Sequence, residues 1–281
     1  MNKPFLTLLH LSFFLVLKDF DNFAGETLLS LNHKSGFDNF NKPSLISHIS
    51  NTKRMQIEPI AHFHSPFSTK FGIPKQSGLV AETEGTIVFT PAYRNADYIR
   101  GLEDFDFIWL LWGFSANPHR ANSPVVRPPV LGGNKSVGVF ASRSPFRPNA
   151  IGLSSVRIER VERDTNRGPV IHVRGADLMD GTPIYDIKPY LEYTDSHTGI
   201  RNGFTDNNQW ERLHVTFPDE LRTHFTPEQT AAIIHALELD PRPHYQNNPQ
   251  KTYGMPFAGH DIHFRVENGI LTVVEVCRLG K

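Results

Sequence analysis

Three arginines of this chain stand in loops that proline residues stiffen. Arg127 precedes two prolines, and Arg143 and Arg147 flank the tripeptide Ser144-Pro145-Phe146. Because proline fixes its φ angle, these side chains start from a preorganised backbone, and a guanidinium binds phosphate or carboxylate through paired donors. The three residues therefore suit a site that binds an anion, although an arginine in such a loop also serves to tie loop carbonyls together.

The arginines lie in a long stretch without acidic residues. No Asp or Glu occurs from Phe107 to Ile158, although the chain has 29 acids in 281 residues and a formal net charge of zero. Arg120, Lys135 and Arg157 add to the positive charge of this stretch. A neutral protein that excludes carboxylates from one region is expected to have a surface there that meets an anion, and nucleic acid is the commonest large one.

Two carboxylates occur together in the stretch Asp177-Leu178-Met179-Asp180, directly before Gly181. They suit catalytic proton transfer or the binding of a ligand's amine and hydroxyl groups. Asp-Gly is also a turn signal, and aspartates often cap their own turn. The spacing alone leaves both interpretations open.

Histidines form two close pairs, His62 with His64 and His260 with His263. Such a spacing along a strand can hold a metal ion. No carboxylate or thiolate partner is evident beside either pair, and Cys277 is the single cysteine. We therefore expect surface or packed histidines and no metal site.

The pattern of apolar segments predicts a mainly β protein. Strands are expected at Gln56–His64, Gly85–Thr90, Phe107–Phe114, Val137–Ala141, Leu153–Val161 and Val170–Arg174. The segment 107–114 is apolar throughout, which predicts burial on both faces. Asn95–Leu102 is a candidate short helix. Strands at intervals of about 10–20 residues with few helices favour a closed or nearly closed β-barrel.

A second, smaller α+β region is predicted from residue 205 to 281, after a barrel domain at 55–200. Thr226 followed by Pro227 and Glu228 is a helix start, and Asn268-Gly269 between apolar runs is a hairpin signal. Residues 1–54 are expected to be a disordered leader or translated sequence ahead of a start at Met55. Their apolar run Leu6–Leu17 is too short to span a bilayer.

Several enzyme classes are disfavoured because their sequence signatures are missing. The chain has no Gly-x-Gly-x-x-Gly, no Walker loop, no Gly-x-Ser-x-Gly and no His-Glu-x-x-His. A dinucleotide fold, a P-loop enzyme, a serine hydrolase and a zinc protease are therefore unlikely interpretations of this sequence.

Taken together, the motifs resemble one family, the bacterial tRNA threonylcarbamoyladenosine N6-methyltransferases. The resemblance covers about 56 to 279. It rests on Pro74-Lys75-Gln76-x-Gly78, Arg100-Gly101-Leu102, Val126-Arg127-Pro128-Pro129-x-Leu131-Gly132-Gly133, the run Gly138–Ser154, Asp180-Gly181-Thr182-Pro183-x-x-Asp186-Ile187-Lys188-Pro189-Tyr190, Asp240-Pro241-Arg242-Pro243-x-Tyr245 and Lys251-Thr252-Tyr253.

The resemblance implies a β-barrel methyltransferase domain that uses S-adenosyl-L-methionine. The implied reaction is methylation of N6 of a threonylcarbamoyl-modified adenosine next to the anticodon of threonine tRNA. It further implies a cytoplasmic homodimer that binds tRNA and has no membrane partner. The alternative functions are a methyltransferase with the same barrel that acts on a small molecule and a non-catalytic RNA-binding module.

The resemblance also implies the roles of individual residues. Carried over motif by motif, the cofactor contacts are Gln76, Ser77, Gly78, Phe114, Ser115, Arg143, Leu153, Asp177, Leu178, Asp180 and Gly181. Ser115 stands where family members tend to have histidine, which leaves its contribution and that of Phe114 open. The acylated N6 must lose a proton, so a base is expected, with Asp177, Asp180 and Tyr253 as candidates. Arg120, Arg127, Lys135 and Arg147 are expected to bind RNA.

Overall fold

The computed structural model describes residues 56–117, 123–163, 165–208, 211–243 and 248–280. The predicted leader 1–54, the proposed start Met55 and the predicted RNA-binding residue Arg120 lie outside the described residues. The part of the chain that the structure describes is one compact unit from Gln56 onward. The predicted domain boundary between residues 200 and 205 therefore stays a prediction.

The described residues contain twelve strands. These are β1 Ala61–His64, β2 Glu84–Phe89, β3 Phe107–Gly113, β4 Val125–Val126, β5 Val137–Gly138, β6 Ile151–Glu162, β7 Val170–Arg174, β8 Thr182–Pro189, β9 His214–Thr216, β10 Tyr253–Phe257, β11 His260–Glu267 and β12 Ile270–Arg278. Six of them close into an antiparallel barrel in the order β1-β2-β7-β6-β3-β8. The predicted mainly β fold with a closed barrel is confirmed.

The barrel interior is filled by alternate side chains of each strand, because successive residues of a strand point to opposite faces. Ile108 and Leu110 on β3 are fully buried in this core. The prediction that β3 is buried on both faces was wrong, since Phe107 remains 41% exposed. In a barrel the other face of the strand points outward, and here the ring of Tyr190 covers it only in part through contacts with Phe107 and Trp109.

A second core lies against the sheet of order β10-β11-β12-β9. The helices of the described residues are α1 Glu192–Asp195, α2 Asp219–Arg222 and α3 Pro227–Glu238. Helix α3 begins as the sequence predicts, since the hydroxyl of Thr226 accepts from the Gln229 N–H and the Gln229 side chain accepts from the Thr226 N–H. Within the described residues, no helix combines the length and apolar character that a membrane crossing requires.

The hairpin signal at Asn268-Gly269 is confirmed. Asn268 and Gly269 have φ angles of 50° and 78° and join β11 to β12, which fits a type I′ turn. Two other predictions were wrong. The expected strand 137–141 ends at Gly138, because the hydroxyl and N–H of Ser142 both bond the Val139 carbonyl and close a 3₁₀ turn. The expected helix 95–102 is likewise a pair of short 3₁₀ turns.

Candidate active site

A cleft of about 390 Å³ opens at one end of the barrel. It lies where β3 ends and β6 begins, and residues of the loops around Gln76, Arg143 and Asp177 complete its wall. The antiparallel register sets this arrangement, because Gly113 at the end of β3 pairs with Ile151 at the start of β6. Three loops that are distant in sequence therefore meet at one end of the barrel.

The first two loops touch through a side-chain hydrogen bond. Arg143 Nη1 donates to Gln76 Oε1 at 2.5 Å across a separation of 67 residues. Arg147, in contrast, turns its Nη1 toward the carbonyls of Ser142 and Ser144, at 3.0 and 3.3 Å. Arg143 and Arg147 both line the cleft, and Arg147 in addition holds the shape of its loop.

A chain of hydrogen bonds connects the barrel core to the cleft. Trp112 Nε1 donates to Ser154 Oγ at 2.9 Å, and Ser154 Oγ donates to Asp177 Oδ1 at 2.6 Å. Ser154 is only 1% exposed, and the Asp177 carboxyl lines the cleft. Burial raises the pKa of Asp177, against the opposing effects of the Ser154 hydrogen bond, backbone donors that include Ser77, and the charge of Arg143. Asp177 is therefore a fixed carboxylate with enhanced basicity.

Two glycines at this end of the barrel make room for aromatic side chains. A Cβ on Gly152 would lie 2.3 Å from the Trp112 ring, and a Cβ on Gly113 would lie 2.6 Å from the Tyr185 hydroxyl. Neither glycine has a positive φ angle, so close approach, not backbone conformation, explains them. The absent side chain of Gly152 lets the Trp112 indole reach Ser154, and that of Gly113 leaves room for Tyr185.

Gly152→Ala is accordingly expected to destabilise the protein by about 1–3 kcal/mol, because overpacking forces the indole off its hydrogen bond. Thermal unfolding followed by the near-ultraviolet signal of tryptophan measures the change. Gly138→Ala is the matched control, since its Cβ would meet nothing within 4 Å. Equal melting temperatures for the two variants would contradict the packing argument.

The two aspartates of the Asp-x-x-Asp stretch point to different surroundings. Asp180 Oδ1 accepts from the Ser65 N–H at 3.1 Å and lies 3.2 Å from His64 Nδ1. This carboxylate joins the end of β1 to the loop between β7 and β8, and it is not part of the cleft wall given by the described residues. Of the two acids, Asp177 alone is positioned for chemistry in the cleft.

The residues predicted to bind the cofactor fall into two groups, those that line the cleft and those that do not. Gln76, Phe114, Ser115, Arg143, Leu153 and Asp177 line the cleft. Ser77, Gly78, Leu178, Asp180 and Gly181 are not part of the cleft wall given by the described residues. Leu178 is buried in the barrel core, Gly181 has a φ of 77° in a turn, and the N–H of Gly78 donates to the Gly175 carbonyl at 2.8 Å.

Tyr253, the third candidate base, lies in the second core. Its ring stacks on Phe264 with centroids 5.6 Å apart, and the Lys251 ammonium lies 5.0 Å from the ring centre. Tyr253 does not contribute to the cleft wall in the described residues. Its position fits packing, which the sequence motif Lys251-Thr252-Tyr253 does not reveal.

Several cleft residues were not among those predicted. Lys70, Trp112, Asn117 and Met179 line the cleft, and Lys70 Nζ donates to Asn117 Oδ1 at 2.9 Å. Ser154 is the hydrogen-bond partner of Asp177. The sequence gives no signal for this pairing, because Ser154 reads as an ordinary polar residue of an alternating strand.

Exposed aromatic and basic side chains lie near each other in sequence beside the cleft. Phe140 is 80% exposed and Phe146 is 50% exposed, on the two sides of Arg143. Arg127 and Lys135, both predicted to bind RNA, are also exposed. Exposed aromatic rings between cationic groups are typical of surfaces on which nucleobases stack.

The cleft can bind a ligand that carries both charges. Arg143 offers paired donors for a carboxylate, Asp177 offers an acceptor for a cationic or N–H group, and Phe114 and Leu153 supply apolar contact. Because Asp177 is held by Ser154, it can also accept a proton at a fixed place.

Two family models match the chain. The tRNA-methyltransferase O N-terminal domain matches residues 62–196, and the TrmO C-terminal domain matches residues 210–279. The first match covers the barrel and every wall segment of the cleft, and the second covers the sheet of β9 to β12.

Curated proteins and solved structures agree with these models. The tRNA (adenine(37)-N6)-methyltransferase of Escherichia coli is 36% identical over 221 residues, which is 75% of this chain and 93% of that protein. The protein of that name from Eikenella corrodens is 40% identical over 61% of this chain and 97% of its own length. A crystal structure of TrmO from Pseudomonas aeruginosa superimposes with a TM-score of 0.64 at 30% identity, covering 80% of this chain and 97% of that one.

Proposed function

The chain belongs to the tRNA-methyltransferase O family, and from that premise we propose how its cleft carries out the reaction. The protein is an S-adenosylmethionine-dependent tRNA methyltransferase that methylates N6 of adenine 37. The observation that supports a catalytic cleft is the fixed, largely buried Asp177 carboxyl near Arg143. The modified nucleoside that is methylated, the general base and the surface that binds RNA are each proposed below.

The cleft residues fit S-adenosylmethionine by their chemistry. The methionine carboxylate would take the donors of Arg143, and the apolar wall at Phe114 and Leu153 would take the less polar parts of the ligand. When bound, the sulfonium supplies an electrophilic methyl group. Ser115 presents a small hydroxyl at the wall where the resemblance leads us to expect a histidine, so this part of the cleft is wider than it would be with an imidazole.

Asp177 is the base that the reaction requires. The acylated N6 carries one proton, and it becomes a competent nucleophile when that proton leaves. We assign this proton to the Asp177 carboxylate, whose pKa is raised by burial. Bound S-adenosylmethionine would supply the methyl group for the new bond to N6, and Asp177 would take the N6 proton and pass it to water. Ser154 keeps the carboxylate oriented throughout.

The substrate of the proposal is threonylcarbamoyl-modified adenosine 37 of threonine tRNA. An acyl group on N6 lowers the pKa of the N–H, and a carboxylate within reach can take the proton as the bond from N6 to the methyl carbon forms. We further propose a cytoplasmic homodimer, because the family resemblance implies one and Leu153 leaves an apolar side chain 54% exposed at the cleft. Sedimentation analysis of the purified protein measures the oligomeric state, and a monomer at all concentrations would contradict this part.

Transfer of a labelled methyl group tests the function directly. Threonine tRNA from cells that lack this methylation is expected to accept label on adenosine 37, and the same tRNA without the threonylcarbamoyl group is expected to accept little. Cofactor binding without methylation of either tRNA would refute the tRNA function and favour a small-molecule substrate. RNA binding without cofactor binding would favour a non-catalytic module.

We propose that the acid-free stretch binds the tRNA backbone through Arg127 and Lys135, while Arg147 supports the loop that carries Phe146. Arg127 and Lys135 are exposed, and both lie in the segment that connects β4 to β5, two short strands that pair with each other. Phosphate contacts of this kind release counterions, so the affinity is expected to depend on salt.

The double change Arg127→Glu and Lys135→Glu is expected to weaken tRNA binding and to make the slope of log affinity against log salt shallower by about 1–2. Filter binding at several salt concentrations measures the slope. S-adenosylmethionine affinity, measured by calorimetry, should stay unchanged. The control is Arg201→Glu with Lys188→Glu, outside the acid-free stretch. An equal loss in that pair would show a general charge effect and contradict the proposed surface.

A further inference from the structure

Four side chains with metal-binding atoms form a square on two neighbouring strands of the second sheet. His263 on β11 pairs with Glu275 on β12, and Asp261 pairs with Cys277. Directly opposed residues of an antiparallel pair share a face, as do residues two apart on one strand. The four side chains therefore share the face opposite the buried Ile262 and Phe264.

A β-bulge creates this square. The register shifts between His263 and Phe264, because Phe264 pairs with Val273 while His263 pairs with Glu275. Val274 is the extra residue. Without the bulge, Val274 would lie opposite His263, and the side chains of Glu275 and Cys277 would lie on the other face of β12. Bulges redirect side chains in this way, so the cluster depends on one inserted residue.

The distances within the cluster are those of a potential metal site. One ligand atom from each of His263, Glu275 and Cys277 lies within 4.8 Å of the other two. His263 Nδ1 is 2.8 Å from Glu275 Oε2, and His263 Nε2 is 3.1 Å from Asp261 Oδ2. Around a tetrahedral zinc ion with bonds near 2.0–2.2 Å, ligand atoms lie about 3.4 Å apart. The histidine and glutamate would separate by roughly half an ångström.

Strand β10 leaves room for Asp261, the fourth side chain of the cluster. Gly254 on β10 lies opposite His263, and a Cβ there would come within 2.7 Å of Asp261 Oδ1. The same Asp261 Oδ1 is shielded from solvent, and the described residues offer it no hydrogen-bond partner. Asp261 is therefore held closely against β10, with its other oxygen, Oδ2, directed at His263 Nε2.

We propose that His263, Glu275 and Cys277 bind a zinc ion, with Asp261 as the carboxylate that orients the histidine. Imidazole, carboxylate and thiolate are all zinc ligands, and three protein ligands leave a fourth position for water. Asp261 accepts the Nε2–H and leaves Nδ1 as the ligand, as carboxylates behind zinc-bound histidines do. Binding releases the thiol proton of Cys277 and any second ring proton of His263 to solvent.

Cobalt(II) is the sharpest probe of this site, because Cys277 is the only cysteine of the chain. After treatment with a chelator, the full-length protein is expected to bind one equivalent of Co²⁺ with a sulfur-to-cobalt charge-transfer band. Zn²⁺ should remove the band stoichiometrically. Since the chain has no other cysteine, the band reports this site and not one of the other 13 of its 14 histidines.

Single substitutions distinguish the residues proposed to hold zinc from a residue that only lies near them. Cys277→Ser should abolish the charge-transfer band, and His263→Ala should weaken Zn²⁺ binding at least tenfold in calorimetry. Asp261→Asn should weaken it about tenfold, the size of effect seen for an orienting residue. His260→Ala is the matched control on the same strand, because His260 packs on Phe225 and its Nδ1 lies near the Ala258 carbonyl. It should leave Zn²⁺ affinity unchanged.

Two results would overturn the proposal. One is a full-length protein that gives no charge-transfer band with excess Co²⁺. The other is Zn²⁺ binding that His263→Ala and Cys277→Ser leave intact. Circular dichroism of each variant shows that it is folded, and a rise in melting temperature with Zn²⁺ that Cys277→Ser removes is the second, independent measurement of the same site.

Discussion

Asp177→Asn is expected to lower the turnover of methyl transfer by about 10²- to 10⁴-fold, the range that general base catalysis supplies. The amide keeps the shape of the carboxyl and still accepts from Ser154, so the cleft stays intact. It cannot take the N6 proton. Single-turnover transfer to modified tRNA with saturating cofactor measures the chemical step, apart from binding.

The stability of the same variant should move in the opposite direction. Because burial raises the pKa of Asp177 in the folded protein, the stability that this group contributes is present at low pH and is lost as the pH rises through that pKa. At neutral pH the ionised carboxylate is a cost, which asparagine removes. The melting temperature of Asp177→Asn at pH 7 should equal or exceed that of the parent.

The pH dependence adds a further check. In the parent protein the rate should rise as Asp177 loses its proton and then level off, whereas Asp177→Asn should lack this rise. Asp180→Asn is the matched comparison, because Asp180 holds the Ser65 N–H and lies outside the cleft wall. It should lose stability and keep most of its turnover. A reversed ranking of the two variants would contradict the assignment of Asp177 as base.

Arg143→Ala is expected to weaken S-adenosylmethionine binding about 10- to 100-fold. A hydrogen bond to a charged group contributes about 1.5–3 kcal/mol, and each 1.4 kcal/mol is a factor of ten in affinity. Arg143→Lys should recover only part of the loss, since an ammonium keeps the charge but not the paired donors. Calorimetric titration of the cofactor without tRNA measures both.

Arg127→Ala is the matched control for this experiment. It stands in another proline-stiffened loop and is exposed, but it does not line the cleft in the described residues. Cofactor affinity should remain that of the parent while tRNA affinity falls. If Arg143→Ala and Arg127→Ala alter cofactor binding equally, the guanidinium of Arg143 has no specific role in the cleft.

Local signals in the sequence predicted much of the fold. The cap at Thr226 and the turn at Asn268-Gly269 depend on neighbouring residues, and both are as predicted. The strand expected at 137–141 failed because Ser142 competes for the Val139 carbonyl, an interaction that hydrophobic periodicity does not encode. The exposure of the outward face of β3 was misjudged for a similar reason. Tyr190, which covers this face only in part, is 83 positions from Phe107, and the two residues meet only in the folded chain.

Residue types and spacing singled out Arg143 and Asp177, and the family resemblance added the other candidates for the site. It named Arg143 and Asp177 but gave equal standing to Tyr253, which the fold buries in the second core. The Ser154 partner of Asp177 depends on the pairing of β6 with β7, the strand that Asp177 follows, which no local pattern reports. The cluster of His263 with Glu275 was missed in the same way, because a carboxylate 12 residues away becomes a neighbour only through a bulge.

The hydrogen bond between Gln76 and Arg143 has a consequence for catalytic turnover. A guanidinium already held by a neutral amide has lost much of its rotamer freedom before any ligand arrives. A ligand carboxylate then replaces the Gln76 oxygen as the acceptor for Arg143. The net free energy that the ligand gains on binding is therefore smaller, and the ligand dissociates correspondingly faster. Once the methyl group is gone, the spent nucleoside should therefore leave without a large conformational change, as the amide returns to its partner.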